Sequence, residues 1–497
     1  MSFVQNLPLF CIVFTLFSGV ICAVLSPKAA RNVCYGILIF DGTANVVLLS
    51  YVLKLGDYYV YRMGHFPAPW GNEIRIGVLE ALLAVCFSIG MLLSLMGGMK
   101  HIFEDVESTK TNLYFSMMNL LFVSMLALIY TNDLFTGYVF VEINTITACA
   151  IIMLRNKKET LVSTFRYLTM STLGSGMFLM GINILYDITG HLLMSNIHES
   201  VKELVASGKY AGPLEVVIAL FCVGLATKSA LYPFHSQLPD AYSSATSASS
   251  AVLSGLVLKA YIILLIKIIY RVIGIDVFRF SKGANVLFVL GILGMIMGSL
   301  HAMTEKNLNR MIAYSSVAQI GYIYMGIGLG STAGMVAAVF QILAHAATKT
   351  MLFDAAGGLM EVSGGSKSFK RLKGAARRNP TAGFAFVIGS LSMIGIPLFA
   401  GFISKMYLAT ASIGESRTKM LLGLTALAIS TVLNALYFIP AIMVLYSRDG
   451  EGAEEKVHHA DPSFVISMII FVVINFVLGC MSTPIIGMIS SGFAMFD

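Results

Sequence analysis

Charged side chains are scarce in this sequence. Asp, Glu, Lys and Arg make up 12% of the 497 residues, whereas roughly a quarter is usual in a soluble domain. Residues of the apolar set AVILMFWYC account for 57%, and the mean hydropathy is +0.81. Apolar stretches of the roughly 20 residues that cross a bilayer recur along the chain. The composition leaves no room for a soluble domain of ordinary size and predicts a polytopic membrane protein.

Closely spaced cysteines are also absent. The seven cysteines stand singly, mostly in apolar runs, and none forms a C-x-x-C pair. They are Cys11, Cys22, Cys34, Cys86, Cys149, Cys222 and Cys480. Isolated cysteines in apolar runs behave as small apolar residues, so we expect no iron–sulfur or zinc site. The P-loop, the dinucleotide fingerprint and the H-E-x-x-H motif are missing as well, and we expect neither a cofactor nor a metal in this chain.

The net charge of +7 does not indicate a nucleic-acid partner, because positive charge on membrane proteins collects in cytoplasmic loops. The densest basic cluster comprises Lys367, Lys370, Arg371, Lys373, Arg377 and Arg378. The positive-inside rule places this loop in the cytoplasm and both termini on the outer side of the cell (inner) membrane. The first apolar run starts near Leu7 without a preceding basic residue, which indicates a retained helix rather than a cleaved signal.

Hydropathy predicts an all-α membrane protein with about 14 transmembrane segments. The predicted spans are 7–26, 32–54, 76–98, 112–130, 134–154, 161–186, 213–238, 243–272, 284–302, 308–328, 332–360, 382–411, 420–446 and 463–490.

Segments 7 and 12 share an interruption. Segment 7 contains Pro233 and Pro239, and segment 12 contains Pro397 between glycines. Proline removes a helix hydrogen bond, and helices broken at matching positions of two halves are typical of transporter repeats. Simple kinking is the alternative. We predict four parts: helices 1–3 in 1–111, a five-helix repeat in 112–272 (helices 4–8), a second, inverted repeat in 273–447 (helices 9–13), and an acidic loop with helix 14 in 448–497.

Five charged residues fall deep within predicted segments, where they are costly and usually functional. They are Glu142 in segment 5, Lys228 in segment 7, Lys259 in segment 8, Lys349 in segment 11 and Lys405 in segment 12. His345 lies one helical turn before Lys349 on the same face.

Each of these residues has a structural alternative. A lysine near a helix end can extend its ammonium to the interface, and we assign Lys267 to that class. Glu142 can serve as the structural ion-pair partner of a lysine, and His345 can hydrogen bond between helices. Because an unpaired charge is costly within the membrane, we expect Glu142 and Lys228 to lie within ion-pair or one-water distance. Burial disfavours a charged amine, so several buried lysines in sequence can pass protons if water and hydroxyls lie between them. The serines that open segment 8 either hold such water or permit close helix packing. They are Ser244, Ser247, Ser249, Ser250 and Ser254.

Long motifs in segments 3–13 resemble the antiporter-like subunits that Mrp-type Na⁺/H⁺ antiporters, respiratory complex I and membrane-bound hydrogenases share. TNDLFTGYVFVEI resembles the fifth helix of that family, and ATKSALYPFHSQLPDAYSSATSASSAVLSGLVLKAY resembles the seventh and eighth. EKNLNRMIAYSSVAQIGY, HAATKTMLF and GIPLFAGFISKMYL resemble the tenth, eleventh and twelfth, and STVLNALYFIP is most similar to the D-type Mrp subunit. The resemblance implies a proton or ion relay, and it assigns these positions to it: Glu142, Lys228, Lys259, His345, Lys349 and Lys405.

The sequence also departs from the family pattern. Glu80 stands where the family usually has an aspartate, Leu398 replaces a second proline, and Asp354 has no familiar counterpart. We keep His235, Asp354 and Glu80 as secondary candidates.

We therefore expect an ion-translocating subunit that works with other membrane subunits and moves H⁺, Na⁺ or both. A self-sufficient carrier for an organic solute is the alternative, and it would need a ligand pocket at the helix breaks. A structural scaffold has no reason to bury four lysines. No catalytic centre is expected in this chain, and whether a redox reaction drives the complex stays open.

Overall fold

The computed structural model describes residues 3–66, 71–448 and 458–496, so most of the predicted acidic loop lies outside the described residues. Within them the chain is almost entirely helical. The α-helices are α1 (Leu7–Val24), α2 (Pro27–Leu55), α3 (Val78–Asp105), α4 (Thr111–Tyr130), α5 (Leu134–Met153), α6 (Lys158–Thr189), α7 (Met194–Ser207), α8 (Ala211–Lys228), α9 (Gln237–Ser244), α10 (Ser247–Val252), α11 (Leu258–Ile268), α12 (Ile275–Phe280), α13 (Lys282–Thr304), α14 (Leu308–Gly328), α15 (Thr332–Glu361), α16 (Ala375–Arg378), α17 (Pro380–Ile394), α18 (Ala400–Ile413), α19 (Arg417–Tyr446), α20 (Pro462–Cys480) and α21 (Ser482–Ala494).

Shorter elements join these helices. Two π-helical turns, Leu253–Val257 and Ile269–Ile273, follow α10 and α11, so that α10, α11 and the turns make one continuous span. The 3₁₀ turns are Phe3–Asn6 and Met63–His65. An antiparallel hairpin of β1 (Tyr59–Arg62) and β2 (Glu73–Ile76) pairs Tyr59 with Ile76. The sequence analysis predicted neither this hairpin nor the amphipathic helix α7.

Twelve helices of the described chain are long and apolar enough to cross a membrane. They correspond to all the predicted segments except 10 and 12. Segment 10 is α14, a 21-residue helix that polar residues make less hydrophobic, and segment 12 is split into α17 and α18. Segment 14 was predicted as one helix, but it bends at Met481 between α20 and α21.

Both predicted helix breaks are present. Segment 7 is interrupted between α8 and α9, where Ala230 adopts a positive φ of 58° ahead of Pro233. Segment 12 is interrupted between α17 and α18, where Gly395 (φ 91°) and Leu398 (φ 82°) flank Pro397. A proline cannot donate the hydrogen bond that a continuing helix needs. The breaks leave carbonyl groups near the centre of the bundle that side chains can reach.

The connecting loops meet on two opposite faces. On one, Lys367 donates to the carbonyl of Ser243, and its own carbonyl accepts from the Leu308 amide at 2.9 Å. We call this the basic face; it carries residues 154–158, 243–246, 304–308 and 362–379. On the other, Ile74 bridges to Thr131 and Arg75 donates to the carbonyl of Met495. We call that the hairpin face.

Candidate functional site

Glu142 and Lys228 form the predicted pair. Lys228 is the last residue of α8, and its Nζ lies 3.9 Å from Oε1 of Glu142 on α5. The Lys228 side chain is fully buried, whereas 28% of the Glu142 side chain is exposed. Lys228 also donates to Thr145 Oγ1 at 2.5 Å. A buried ammonium needs such partners because the surrounding helices offer it no water.

Close helix packing holds Lys228 in place. A methyl group on Gly174 of α6 would lie 2.7 Å from the carbonyl oxygen of Gly224 and 2.9 Å from Lys228 Cγ. The absence of side chains on Gly174 and Gly224 lets α6 and α8 touch and encloses the lysine stem. Tyr261 completes the site, because its ring centroid lies 5.3 Å from the ammonium nitrogen.

Lys259 lies next along the bundle and is completely buried. It is the second residue of α11, just after the π-helical turn Leu253–Val257, and its Nζ donates to the carbonyl of Ser254 in that turn. The Ser254 hydroxyl is 3.0 Å from that of Ser316 on α14. π-helical turns of this kind are frequent at functional sites, and here the turn supplies the acceptor for the central lysine.

His345 and Lys349 lie one turn apart on α15, and both are fully buried. Lys349 donates to the carbonyl of Ile312 at 3.0 Å and to the Ser315 hydroxyl. Neither ring nitrogen of His345 has a hydrogen-bond partner among the described residues. His345 lies within electrostatic reach of both Lys259 and Lys349. This histidine therefore lies near two lysines, and both of its nitrogens lack a partner among the described residues.

Lys405 occupies the second helix break. Its Nζ donates to the carbonyls of Met393 (3.3 Å) and Ile394 (2.6 Å) at the end of α17, and to Thr431 Oγ1 (3.2 Å). A helix ends with carbonyls that lack intrahelical donors, so the interruption in segment 12 creates the acceptors for this ammonium.

A chain of polar side chains joins Lys405 to Lys349. Asn434 donates to the Met393 carbonyl (3.3 Å), which also accepts from Lys405, and it accepts from the Tyr437 hydroxyl at 2.7 Å. The Tyr437 hydroxyl in turn interacts with the Ser315 hydroxyl, to which Lys349 donates. The sequence analysis missed Tyr437 and Asn434, although both lie in the STVLNALYFIP motif.

The serines that open segment 8 form hydrogen bonds within the protein, and their segment packs closely. Ser249 is 2.9 Å from the Tyr114 hydroxyl, and Ser250 donates to the carbonyl of Tyr242 at 2.7 Å. A methyl group on Gly98 of α3 would collide with Cβ of Ala248, so the same segment also packs closely.

Two secondary candidates lie outside this row. His235 stacks with Tyr232 and lies 5.8 Å, centroid to centroid, from His301 near the break in segment 7. Glu80 accepts from the amide of Gly77 at 3.0 Å and lies 3.5 Å from Nη1 of Arg271, towards the hairpin face. The third, Asp354, is fully buried on α15.

The assignment of Lys267 to the interface is wrong. Lys267 is 1% exposed, and its Nζ donates to the carbonyls of Ile129 (2.6 Å), Thr131 (2.6 Å) and Leu128 (3.3 Å). The ammonium thus caps the carboxyl end of α4 instead of reaching water. Arg271 is also buried and pairs with Glu80. The i, i+4 spacing of Lys267 and Arg271 was the available signal for this cluster.

The chain matches known membrane proteins over most of its length. The family model described as "NADH:quinone oxidoreductase/Mrp antiporter, TM" matches residues 131–434. NADH-quinone oxidoreductase subunit N of Desulforudis audaxviator is 30% identical over 89% of this chain and 86% of that protein. The D-type subunit of the Na⁺/H⁺ antiporter of Alkalihalophilus pseudofirmus is 26% identical over 88% and 87%.

Two solved structures share the fold. A chain of the membrane-bound sulfane sulfur reductase, an archaeal respiratory membrane complex, superposes with a TM-score of 0.87 at 25% identity and covers 99% of this chain and 98% of its own. A chain of the Mrp complex from Dietzia sp. superposes with a TM-score of 0.87 at 23% identity and covers 100% and 98%.

Proposed function

Because the chain belongs to the NADH:quinone oxidoreductase/Mrp antiporter membrane family, we propose that it is an ion-translocating subunit of a multi-subunit membrane complex. It moves protons, sodium ions or both through the row Glu142–Lys228–Lys259–His345–Lys349–Lys405. The observation that carries the proposal is this row, in which every buried amine has a hydroxyl or carbonyl acceptor. A relay needs such groups, because a proton hops only within hydrogen-bond reach or through one water.

The partners are other membrane subunits of the same complex. The two relatives described above are named as subunits, and both structural neighbours are chains of complexes. Glu142 supports this assignment, because its partly exposed side chain opens the first end of the row to the outside of the bundle. A neighbouring subunit at this position would complete the pair and change its electrostatic environment.

The row favours ions over an organic solute. A solute carrier needs space for its ligand at the helix breaks, whereas here protein groups fill them. Ser229 is 2.6 Å from the Tyr324 hydroxyl at the first break, and Lys405 binds the carbonyls at the second.

We assign two half-channels to the row, one opening on each face. On the basic face a cavity of about 440 Å³, lined by Lys158, Asp240 and Arg310 among others, lies beside α9 and the break in segment 7. We assign the entrance on this face to that cavity and the exit to the break in segment 12, near Lys405. Two inverted repeats, 112–272 and 273–447, account for the matching breaks.

Orientation follows from the basic loop. The protein is a multi-pass membrane protein, and we assign it to the cell membrane with the basic face in the cytoplasm and the termini outside. A cysteine replacing Ser366, in a chain that carries Cys480→Ser, tests this assignment. A membrane-impermeant thiol reagent should label it only after the cells are opened; labelling of intact cells would reverse the orientation.

The row itself is tested at Lys259. Lys259→Ala in the assembled complex should lower ion flux into proteoliposomes at least about 100-fold, because a general acid–base group of this kind contributes 10²–10⁴-fold. Lys54→Ala, an exposed lysine at the end of α2, is the matched control and should keep normal flux. Normal flux with Lys259→Ala would place the path elsewhere.

A further inference from the structure

Asp354 is a buried acid that the lysine row does not use. It lies on α15, five residues after Lys349 and seven before Glu361, with no exposed surface. Neither carboxylate oxygen has a hydrogen-bond partner in the part of the chain that the structure describes. An acid buried without a partner is costly, and such residues inside membranes usually serve transport.

Glycines allow the helices around Asp354 to pack closely. A methyl group on Gly97 of α3 would lie 2.9 Å from Asp354 Oδ2 and 3.2 Å from Ser467 Oγ of α20. A methyl group on Gly357, one turn further along α15, would lie 2.9 Å from Ser247 Oγ and 3.3 Å from His101 Cε1. The two glycines thus let α3, α10 and α20 approach α15 closely and place polar side chains of these helices beside it.

Further polar groups lie between Asp354 and the basic face. Ser247 Oγ and both His101 ring nitrogens lack hydrogen-bond partners among the described residues. His101 Nε2 lies 3.9 Å from Glu361 Oε2, and Glu361 also binds Lys100 and His458, the latter at 3.0 Å. Glu361 is partly exposed. Because α15 rises about 1.5 Å per residue, Glu361 lies about 10 Å from Asp354 along the helix.

Towards the amino end of α15, polar groups approach the lysine row. Thr350 precedes Asp354 by one turn, and a methyl group on Gly255 would lie 2.7 Å from Thr350 Oγ1. Gly255 belongs to the π-helical turn whose Ser254 carbonyl accepts from Lys259. Asp354 is therefore between the surface cluster around Glu361 and the central lysine.

We propose that Asp354 is a proton-binding site on a lateral branch that joins the Glu361–His101 cluster on the basic face to Lys259. The inference rests on the proposed function and adds a second entrance to it, separate from the cavity beside α9. It explains why this chain carries an unpaired acid in the middle of a helix–helix contact. The other titratable groups near the branch are Tyr114 on α4, Lys100 and Glu104 on α3, and His458 and Asp461 ahead of α20.

The number of protons balances at every transfer along the branch. Protonated His101 releases its ring proton through Ser247 and water to the Asp354 carboxylate, which becomes a neutral carboxylic acid. The acid then passes that proton, by way of Thr350 and water, to the neutral Lys259 amine. Asp354 returns to the carboxylate, and His101 takes a new proton from the cluster around Glu361.

The experiment compares Asp354→Asn with Asp187→Asn in the whole complex. Asp187 is an exposed acid on α6 and provides the same substitution away from the branch. Asp354→Asn should lower proton flux about tenfold rather than abolish it, because the entrance beside α9 remains. Asp187→Asn should keep normal flux. Infrared difference spectra of the working complex should contain a protonated-carboxyl band that disappears in Asp354→Asn.

The outcomes separate this branch from the row. Normal flux in Asp354→Asn together with loss of flux in Lys259→Ala would overturn the branch and leave the row intact. A protonated-carboxyl signal that is unchanged in Asp354→Asn would also overturn it, because the whole signal would then come from other acids such as Glu142. Normal flux in Lys259→Ala would refute the row itself, whatever Asp354→Asn does.

Discussion

Replacing Lys267 by methionine should destabilise the protein without stopping transport. The substitution keeps an apolar stem of similar length and removes only the ammonium that caps α4. Three carbonyls, those of Leu128, Ile129 and Thr131, lose their donor. They lie in the buried interior, where an unsatisfied acceptor is not rescued by water.

The magnitude follows from the geometry. Two of the three hydrogen bonds are 2.6 Å long, and a hydrogen bond to a charged group stabilises by about 1.5–3 kcal/mol. The change also removes the cost of burying an ammonium and its repulsion by Arg271, which offsets part of the loss. We expect the free energy of unfolding to fall by about 3 kcal/mol.

The assay is unfolding in mixed micelles by titration with a denaturing detergent, followed by ion flux normalised to the amount of assembled complex. Lys54→Met, at the exposed end of α2, is the control and should leave both quantities unchanged. Lys267→Met should unfold earlier yet keep near-normal flux per complex, since Lys267 lies off the row. Stability equal to the wild type would mean that the ammonium reaches water, and lost flux at normal assembly would place Lys267 on the path.

Three further predictions concern other charged groups. Lys259→Arg should fail to transport like Lys259→Ala, because a guanidinium keeps its proton; flux near the wild-type level would contradict a proton-exchanging role. A double-mutant cycle of Glu142→Gln and Lys228→Met, measured by unfolding, should give a coupling free energy of about 2 kcal/mol. Charges 3.9 Å apart attract by at most about 4 kcal/mol at an effective dielectric constant of 20. Additive effects of the two substitutions would exclude a direct pair. Burial lowers the pKa of Lys367, which lies outside the membrane spans, from 10.5 to about 8. Between pH 8 and 10.5 the undocked loop therefore binds more protons than the docked loop. Docking of the loop should become more favourable as pH rises through that range. Protease protection of the loop should show this rise in the wild type and lack it in Lys367→Met; a fall with pH would invert the sign.

Much of the architecture follows from composition and proline placement. Long apolar runs demand membrane helices because no other segment satisfies its backbone within a bilayer. Both helix breaks could be predicted from the sequence, because Pro233 and Pro397 cannot donate the backbone hydrogen bond that a continuing helix needs. The proximity of Glu142 and Lys228 was expected on the cost of leaving either charge alone, and the 3.9 Å separation confirms it.

Helix boundaries were less predictable where polar residues and turns mix. The sequence analysis placed the junction of segments 7 and 8 at 238–243, whereas α9 runs to Ser244 and α10 begins at Ser247. Two π-helical turns in segment 8 carry no composition signal, because their residues are as apolar as those of the α-helical turns around them. The hairpin of β1 and β2 was missed since its strands are only four residues long.

The amino-acid order was enough to show that Lys228, Lys259 and Lys349 are buried, because a lysine in the middle of a long apolar run has nowhere else to go, but it misplaced Lys267, near the end of such a run. It was not enough to show what each one touches. Lys267 and Lys259 lie eight residues apart on one continuous span, yet one caps the carbonyls of α4 and the other binds the carbonyl of Ser254. Asp354 and Lys349 likewise share α15, but only the packing of α3 and α20 around Gly97 leaves the acid without a partner among the described residues. Those differences arise from contacts between helices distant in sequence, which form only when the whole bundle is assembled.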